Sequence, residues 1–256
     1  MLGKAFLPFY FFIPRHNKYG FTLAEVLITL GIIGVVAALT LPGLIAEHRN
    51  KVLIESTKKT YSIIMNALTL AQQAEGGDNS SVFDTSNTSF GTTQKLAKYF
   101  NAPKICENNS SDGCKKYYIT YKFSSKHLID GITTGESVDY PKLILADGSI
   151  ITVRQMPSCG SHWVSCVRDE KGYCKKDDEG NDIMEPGGDD ACGYLYFDVN
   201  GIKGPNQYGR DAYVLKVRTN DAIPNPYSIG GYQSFINILS GKNELVFENY
   251  NIGDKL

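Results

Sequence analysis

Between Phe21 and Ala46 the sequence is almost without charge, and Glu25 is the only ionisable side chain in the run. Residues 1–20 lack acid altogether and carry Lys4, Arg15 and Lys18 as their cations. Cysteine is missing from the whole N-terminal part; all six (Cys106, Cys114, Cys159, Cys166, Cys174 and Cys192) lie well beyond the apolar run. A dominant charge is missing too. The 26 Lys+Arg and 27 Asp+Glu nearly cancel, so no global basic field points to nucleic acid. There is no P-loop, dinucleotide-binding glycine pattern, metalloprotease helix motif or nucleophile elbow, and no internal repeat. These absences leave no recognisable enzyme.

The charge-poor run consists of Phe, Leu, Ile, Val, Ala, Gly and Thr around Glu25 and the single proline Pro42. About 20 apolar residues at about 1.5 Å each cross the hydrocarbon core of a bilayer, so the run is long enough to span. A carboxylate five residues into such a helix is costly without a partner and points to function. The basic residues, then Gly20-Phe21-Thr22-Leu23-Ala24-Glu25, then an unbroken apolar helix, resemble the N-terminal cleavage and methylation motif of type IV prepilins. Type II secretion pseudopilins and competence pilins share that motif. The resemblance covers Lys18 to about Ala46. It implies cleavage by a prepilin peptidase between Gly20 and Phe21, N-methylation of Phe21, and a role for Glu25 in filament assembly. The implied partners are other pilin or pseudopilin subunits and an inner-membrane assembly platform, with membrane lipid around the helix before assembly. No nucleic-acid partner is evident.

A secretory signal peptide would need a shorter apolar region followed by a small-residue cleavage site. Here the glycine precedes the run, and the run is too long. Glycine before the cut suits a narrow peptidase site, having no Cβ. The positive, acid-free residues 1–20 are expected to stay cytoplasmic. The chain is then a single-pass protein of the cytoplasmic (inner) membrane, and its C-terminal part is extracytoplasmic, reaching a periplasmic or cell-surface filament after assembly. Ala5 to Pro14 is unusually apolar for a prepilin leader, yet ten residues with two prolines are too short to span. Removing residues 1–20 takes three of the 26 Lys+Arg and none of the 27 Asp+Glu, leaving a mature net charge of −4.

Helical period continues past the membrane run. From Glu47 to Glu75 the polar residues Lys51, Glu55, Lys58, Ser62, Asn66, Thr69 and Gln73 recur every three or four positions. Opposite them run Ile54, Tyr61, Ile64, Leu68 and Ala71, flanked by Ile63, Ala67, Leu70 and Ala74, an arc suited to covering a sheet. Gly76-Gly77 should end the helix. Pro42, near the junction of the two halves, is expected to bend or locally melt it. Gly31 and Gly34 would let membrane helices approach closely, or simply reflect the frequency of glycine in such helices. The polar stretch from Gly77 to Gly91 reads as loop, and Thr93–Phe100 as a short helix. Strand-like runs follow at Tyr117–Phe123, Leu143–Ala146, Ile150–Arg154, Tyr194–Val199, Tyr213–Val217 and, less clearly, Leu245–Phe247. Asp147-Gly148 signals a two-residue hairpin. The fold class is α+β, pilin-like: a long N-terminal helix, part membrane and part amphipathic, packed on an antiparallel sheet. The expected segments are a leader (1–20), a transmembrane assembly half-helix (21–46), an amphipathic half-helix (47–76) and an extracytoplasmic β-rich domain (77–256).

Six cysteines beyond a signal-like segment read as disulfides in an oxidising compartment. Fifteen pairings are open, and the turn-forming segment from Glu107 to Gly113 favours Cys106 with Cys114. Cys159, His162, Cys166 and Cys174 offer zinc-type ligands, but at a spacing that fits no common zinc site. No metal or cofactor is required. Calcium has two candidate loops, the acidic stretch Asp177–Asp190 and the set Asp198, Asn200, Asn206 and Asp211, each of which also reads as a solvated loop. The tyrosines, Tyr194 and Tyr196 among them, recur at the period of strand packing. These features describe a structural subunit, a minor one by its size, of a type IV pilus or type II secretion pseudopilus. The alternative is a membrane-anchored extracytoplasmic binding domain, for ligand, surface or DNA, that does not polymerise.

Overall fold

A computed structural model describes residues 20–84, 86–102, 104–157, 159, 164–167, 174–186, 191–226 and 230–255, with backbone alone at 164–166 and 184–186. Residues 1–19, with the apolar stretch 5–14, lie outside the described residues, as do His162, Asp189 and Asp190. The chain divides into two compact units, Met1–Glu47 and His48–Leu256. The helix α1, Leu23–Glu75, contributes to both, and Pro42 lies inside it.

Among the described residues of the first unit, those of the helix are almost all exposed. Leu23, Leu27, Ile33, Val35 and Leu39 are all exposed. An 18-residue window of this helix has a mean hydropathy of 2.3 and buries none of its residues in protein. By length and composition it can cross a membrane.

In the second unit α1 buries one stripe: Leu53, Ile54, Thr57, Thr60, Ile64, Ala67, Leu68 and Ala71. The spacing is that of one helix face, and Thr57 is accommodated in it by returning its hydroxyl to the Leu53 carbonyl at 2.8 Å. The helix stops at Gly76 and Gly77, both at positive φ, where the Gly77 N–H reaches back to the Gln72 carbonyl at 2.7 Å.

The stripe packs on a six-stranded antiparallel sheet. Its strands are β1 (Lys104–Cys106), β2 (Lys142–Ile144), β3 (Ile150–Gln155), β4 (Ala191–Asp198), β5 (Ala212–Arg218) and β6 (Ala222–Pro224). They lie side by side in chain order, each antiparallel to the next, so the sheet is a meander with long insertions. Alternation along β4 assigns the faces. Leu195 and Phe197 join Ile64, Leu68, Tyr213 and Phe235 in the main core. Tyr194 turns the other way and packs with Tyr121, Phe123 and Val138 of the insertion between β1 and β2. Both faces of the central strands are thereby covered, and β4 is buried along almost its whole length.

Three further helices close the unit. The short α2 (Asn79–Val82) is capped by Asp78, and α3 (Ser89–Ala97) by Thr88, whose hydroxyl accepts the Gly91 N–H at 3.1 Å. The helix α4 (Tyr232–Leu239) drives Phe235 into the core, edge-on to Tyr61 at 5.6 Å between ring centres. Its start requires a glycine: a Cβ on Gly231 would lie 2.1 Å from the Gly209 nitrogen.

Several sequence expectations need correction. The polar stretch 77–91 is not all loop, because Asp78 and Thr88 act as N-caps and start α2 and α3. The short helix runs Ser89–Ala97, so it begins and ends earlier than Thr93–Phe100. In the run 117–123 only Thr120–Lys122 is strand, since Lys115–Tyr117 forms a 3-10 turn behind Cys114. Leu245–Phe247 is irregular, its Val246 N–H taken by the Ser234 hydroxyl at 2.6 Å. The hairpin at Asp147-Gly148 is present, with Ile144 opposite Ile150. Its loop is longer than two residues, because Leu145 closes it by donating to the Ser149 carbonyl at 2.9 Å and Gly148 takes positive φ. Leu70 and Ala74, expected to flank the packed face, are exposed.

Disulfides brace the insertions. Cys106 pairs with Cys114, as the turn between them favours, and Cys159 pairs with Cys192. Cys174 is also disulfide-bonded, and the Cys166 side chain lies outside the described residues. In the loop-closure picture a bridge across 33 residues stabilises by about 4 kcal/mol and one across 8 by about 2.5 kcal/mol. Replacing Cys159 and Cys192 by alanine should therefore lower the guanidinium unfolding free energy of the detergent-solubilised chain more than replacing Cys106 and Cys114. Equal losses would show that loop length does not set the difference.

Candidate functional site

The first turn of α1 is built from Gly20-Phe21-Thr22-Leu23-Ala24-Glu25. Thr22 and Glu25 form a reciprocal cap. The Glu25 Oε2 accepts both the Thr22 backbone N–H and its hydroxyl, each at 2.8 Å, while the Thr22 Oγ1 accepts the Glu25 N–H at 3.2 Å. This is the capping box, Thr-x-x-Glu, which satisfies two backbone donors that the start of a helix leaves open. The acid also sits at the positive end of the helix dipole. Thr22-Leu23-Ala24-Glu25 carries this signal in the sequence itself, overlooked beside the cost of a charge in an apolar run. Glu25 thus has a local reason for its place, and one carboxylate oxygen is held in a fixed direction.

Phe21 precedes the helix and is 88% exposed, and Gly20 has open space around its Cα. Among the described residues neither is packed into an element. Beyond Glu25 the polar groups of the apolar half are satisfied within the helix. Thr29 returns its hydroxyl to the Glu25 and Val26 carbonyls, and Thr40 to Val36 at 2.9 Å. A methyl group placed on Gly31 or Gly34 would meet nothing within 4 Å, so that surface is both smooth and vacant among the described residues. The arrangement suits lipid, or the flank of another helix.

The other candidate residues fall in the second unit. The four proposed calcium ligands lie at the end of β4 and on the loop joining it to β5, and their oxygens mostly serve that loop. Asp198 Oδ1 accepts the Asn200 and Gly201 N–H groups at 3.0 and 2.8 Å. Asp211 accepts the Asn206 and Gln207 N–H groups at 2.9 and 2.7 Å. In the orientation that satisfies its neighbours, the Asn206 amide donates to the Gly201 and Lys203 carbonyls. Asp198 Oδ2 and Asn200 Oδ1 are buried without a partner, but calcium takes six to eight oxygens. The set fits a self-capped loop better than a calcium cage. In the acidic loop Asp177 accepts the Glu179 and Asn181 N–H groups and closes its own exposed turn. Cys159 and Cys174, the zinc-type ligands among the described side chains, are in disulfides.

Sequence reading did not foresee the burial of three ionisable groups, Lys142, Asp198 and Asp211. Lys142 is fully enclosed, donating to the Val138 carbonyl and Thr152 hydroxyl at 2.7 and 3.0 Å, and burial pulls its pKa down to about 8. Asp198 and Asp211 form a buried carboxyl pair. Burial raises Asp211 to about 6, and burial together with the Asp211 charge raises Asp198 well above the usual range.

An acid whose folded pKa exceeds its unfolded value near 3.8 holds its proton more tightly when folded. Its contribution to stability is therefore greatest at low pH and is lost as pH rises through about 6. Asp198→Asn should flatten the change in Tm between about pH 5 and 7.5 relative to the parent chain, read by thermal melts. Parallel curves for the two proteins would show that the pair is not responsible.

Comparison with known proteins bears on the first site. No curated protein and no solved structure gives a significant match to the chain. Residues 15–41 match the family model described as the prokaryotic N-terminal methylation motif. That match spans Gly20, Phe21, the capping box and most of the apolar half-helix, and the chain carries a prepilin-type cleavage and methylation signal.

Proposed function

We propose that the chain is a structural subunit, a minor one, of a type IV pilus or type II secretion pseudopilus. In this reading it is cut between Gly20 and Phe21 and polymerises through the apolar half of α1. The observation that carries the proposal is an apolar helix left wholly uncovered and opened by a capped glutamate, within a matched methylation motif. Before assembly, bilayer lipid surrounds the helix. In the filament, neighbouring helices take the place of lipid, so apolar contacts are exchanged and not lost. Cleavage would create a new amine at Phe21, four residues from Glu25. A carboxylate held at the helix start is placed to offset such an amine on an adjacent subunit, where an unpaired charge in apolar surroundings is costly. The folded unit 48–256 would form the filament surface, braced against an oxidising exterior by its disulfides. Pro42 is the place in the helix where a bend would be absorbed. Nothing in this mechanism calls for a catalytic group.

The assembled protein should have an intact mass lacking residues 1–20 and an N-methylated phenylalanine at its start. An unprocessed Met1 in filaments would sink the proposal. Glu25→Gln separates charge from structure, because glutamine can still close the capping box. This variant should be cleaved normally yet be strongly depleted from filaments, measured by shearing and immunoblot. Normal incorporation would remove the assigned role, and a chain that functions without ever entering filaments would favour a simple membrane anchor.

A further inference from the structure

A cavity of about 610 Å³ lies wholly within the second unit, between the α1 residues that begin it and the β4–β5 loop. Its walls carry His48, Arg49, Lys203 and Arg210, with Val52 and Leu53 as its apolar side, and no carboxylate lines it. Among the described residues none of these four basic groups forms a salt bridge. Arg210 is the most constrained of them. Its guanidinium lies 4.8 Å from the centre of the Phe247 ring, and its Nε is enclosed with no hydrogen-bond partner. The adjacent Asp211 feels the Arg210 charge, but both its oxygens already accept backbone N–H groups. A guanidinium set beside an aromatic ring and flanked by further cations on the same cavity wall is suited to a phosphate group.

The chain itself says where this cavity meets a phosphate. His48 follows Ala46 by two residues, so no more than about 7 Å of backbone separates the cavity wall from the end of the apolar run. Arg49 comes three residues after that run, on the side where basic residues are disfavoured if residues 1–20 are cytoplasmic. An anionic partner at the membrane surface accounts for its position. We propose that the cavity binds the phosphate of an acidic phospholipid headgroup at the surface from which the chain emerges. This rests on the reading of residues 21–46 as membrane-embedded. The contact holds the subunit in its membrane-stored state and is given up on extraction into a filament.

The test uses the full chain in nanodiscs of phosphatidylcholine containing a minority of phosphatidylglycerol, with native mass spectrometry counting the lipids retained. Phosphatidylglycerol should be retained well above its share. Arg210→Gln, and separately the pair Arg49→Gln with Lys203→Gln, should cut that enrichment by about fivefold for each charge removed. Lys255→Gln, outside the cavity, should leave it unchanged. The double variant keeps the test valid if Arg210→Gln weakens the fold. A chain that resists carbonate extraction but shows no enrichment overturns this proposal alone, whereas a chain that carbonate strips from the membrane overturns the membrane reading. Inorganic phosphate that displaces the lipid and binds equally in pure phosphatidylcholine would reassign the site to free phosphate. If the variants abolish self-association and leave lipid retention intact, the occupant is a carboxylate of a second copy and the lipid proposal fails.

Discussion

A helix with apolar side chains on every face and no protein around it has to find another nonpolar phase. Each large aliphatic side chain left in water forgoes about 1.5–3 kcal/mol of burial, and from Leu23 to Ile45 many such side chains are exposed. A bilayer or a bundle of like helices removes that penalty, and both accept a backbone bonded within its own helix. The back-bonded hydroxyls of Thr29 and Thr40 extend the same logic to the few polar side chains. Glu25 is the exception that the rest of the half-helix accommodates. Its bonds to Thr22 satisfy that residue's backbone N–H at the helix start and fix where the charge sits.

The second half of the same helix follows a different constraint. There the apolar residues occupy one stripe, and the sheet supplies their cover. A meander of six strands joins each strand to its neighbour in space, which leaves its loops free to grow into long insertions. One insertion returns Tyr121 and Phe123 to the far face of the sheet, where Gln207 binds the Phe123 and Glu248 carbonyls and ties three distant segments together. The cost of so much enclosure is that Lys142, Asp198 and Asp211 are buried with their ionisable groups, each held by hydrogen bonds to backbone or hydroxyl partners.

Legibility in the sequence followed the range of the interactions. Gly76-Gly77 as a helix stop, Asp147-Gly148 as a hairpin and the Cys106–Cys114 bridge each depend on residues a few positions apart, and each occurs close to its expected place. The capping box was equally local and was there to be read in Thr22-Leu23-Ala24-Glu25. By contrast α4 has a glycine start whose necessity comes from Gly209, a neighbour in space only. The Leu245–Phe247 run alternates like a strand, yet Ser234 takes the Val246 N–H and no ladder forms. The pairing of Cys159 with Cys192 brings together residues 33 positions apart, which spacing could not choose among fifteen possibilities.

Consecutive residues alone specify the N-terminal half of the long helix and its signal: Gly20 and Phe21, the capped Glu25 and the apolar run. All are written in consecutive residues, and solvation and helix geometry act on them directly. Tertiary structure alone decided which side chains of the folded unit meet. It set two carboxyls close enough to raise the proton affinity of Asp198, sealed Lys142 beneath Tyr118, and gathered Arg49, Lys203 and Arg210 around one cavity. Those groups come from segments up to about 160 residues apart, and their chemistry arises from mutual distance and burial, quantities that no local pattern encodes.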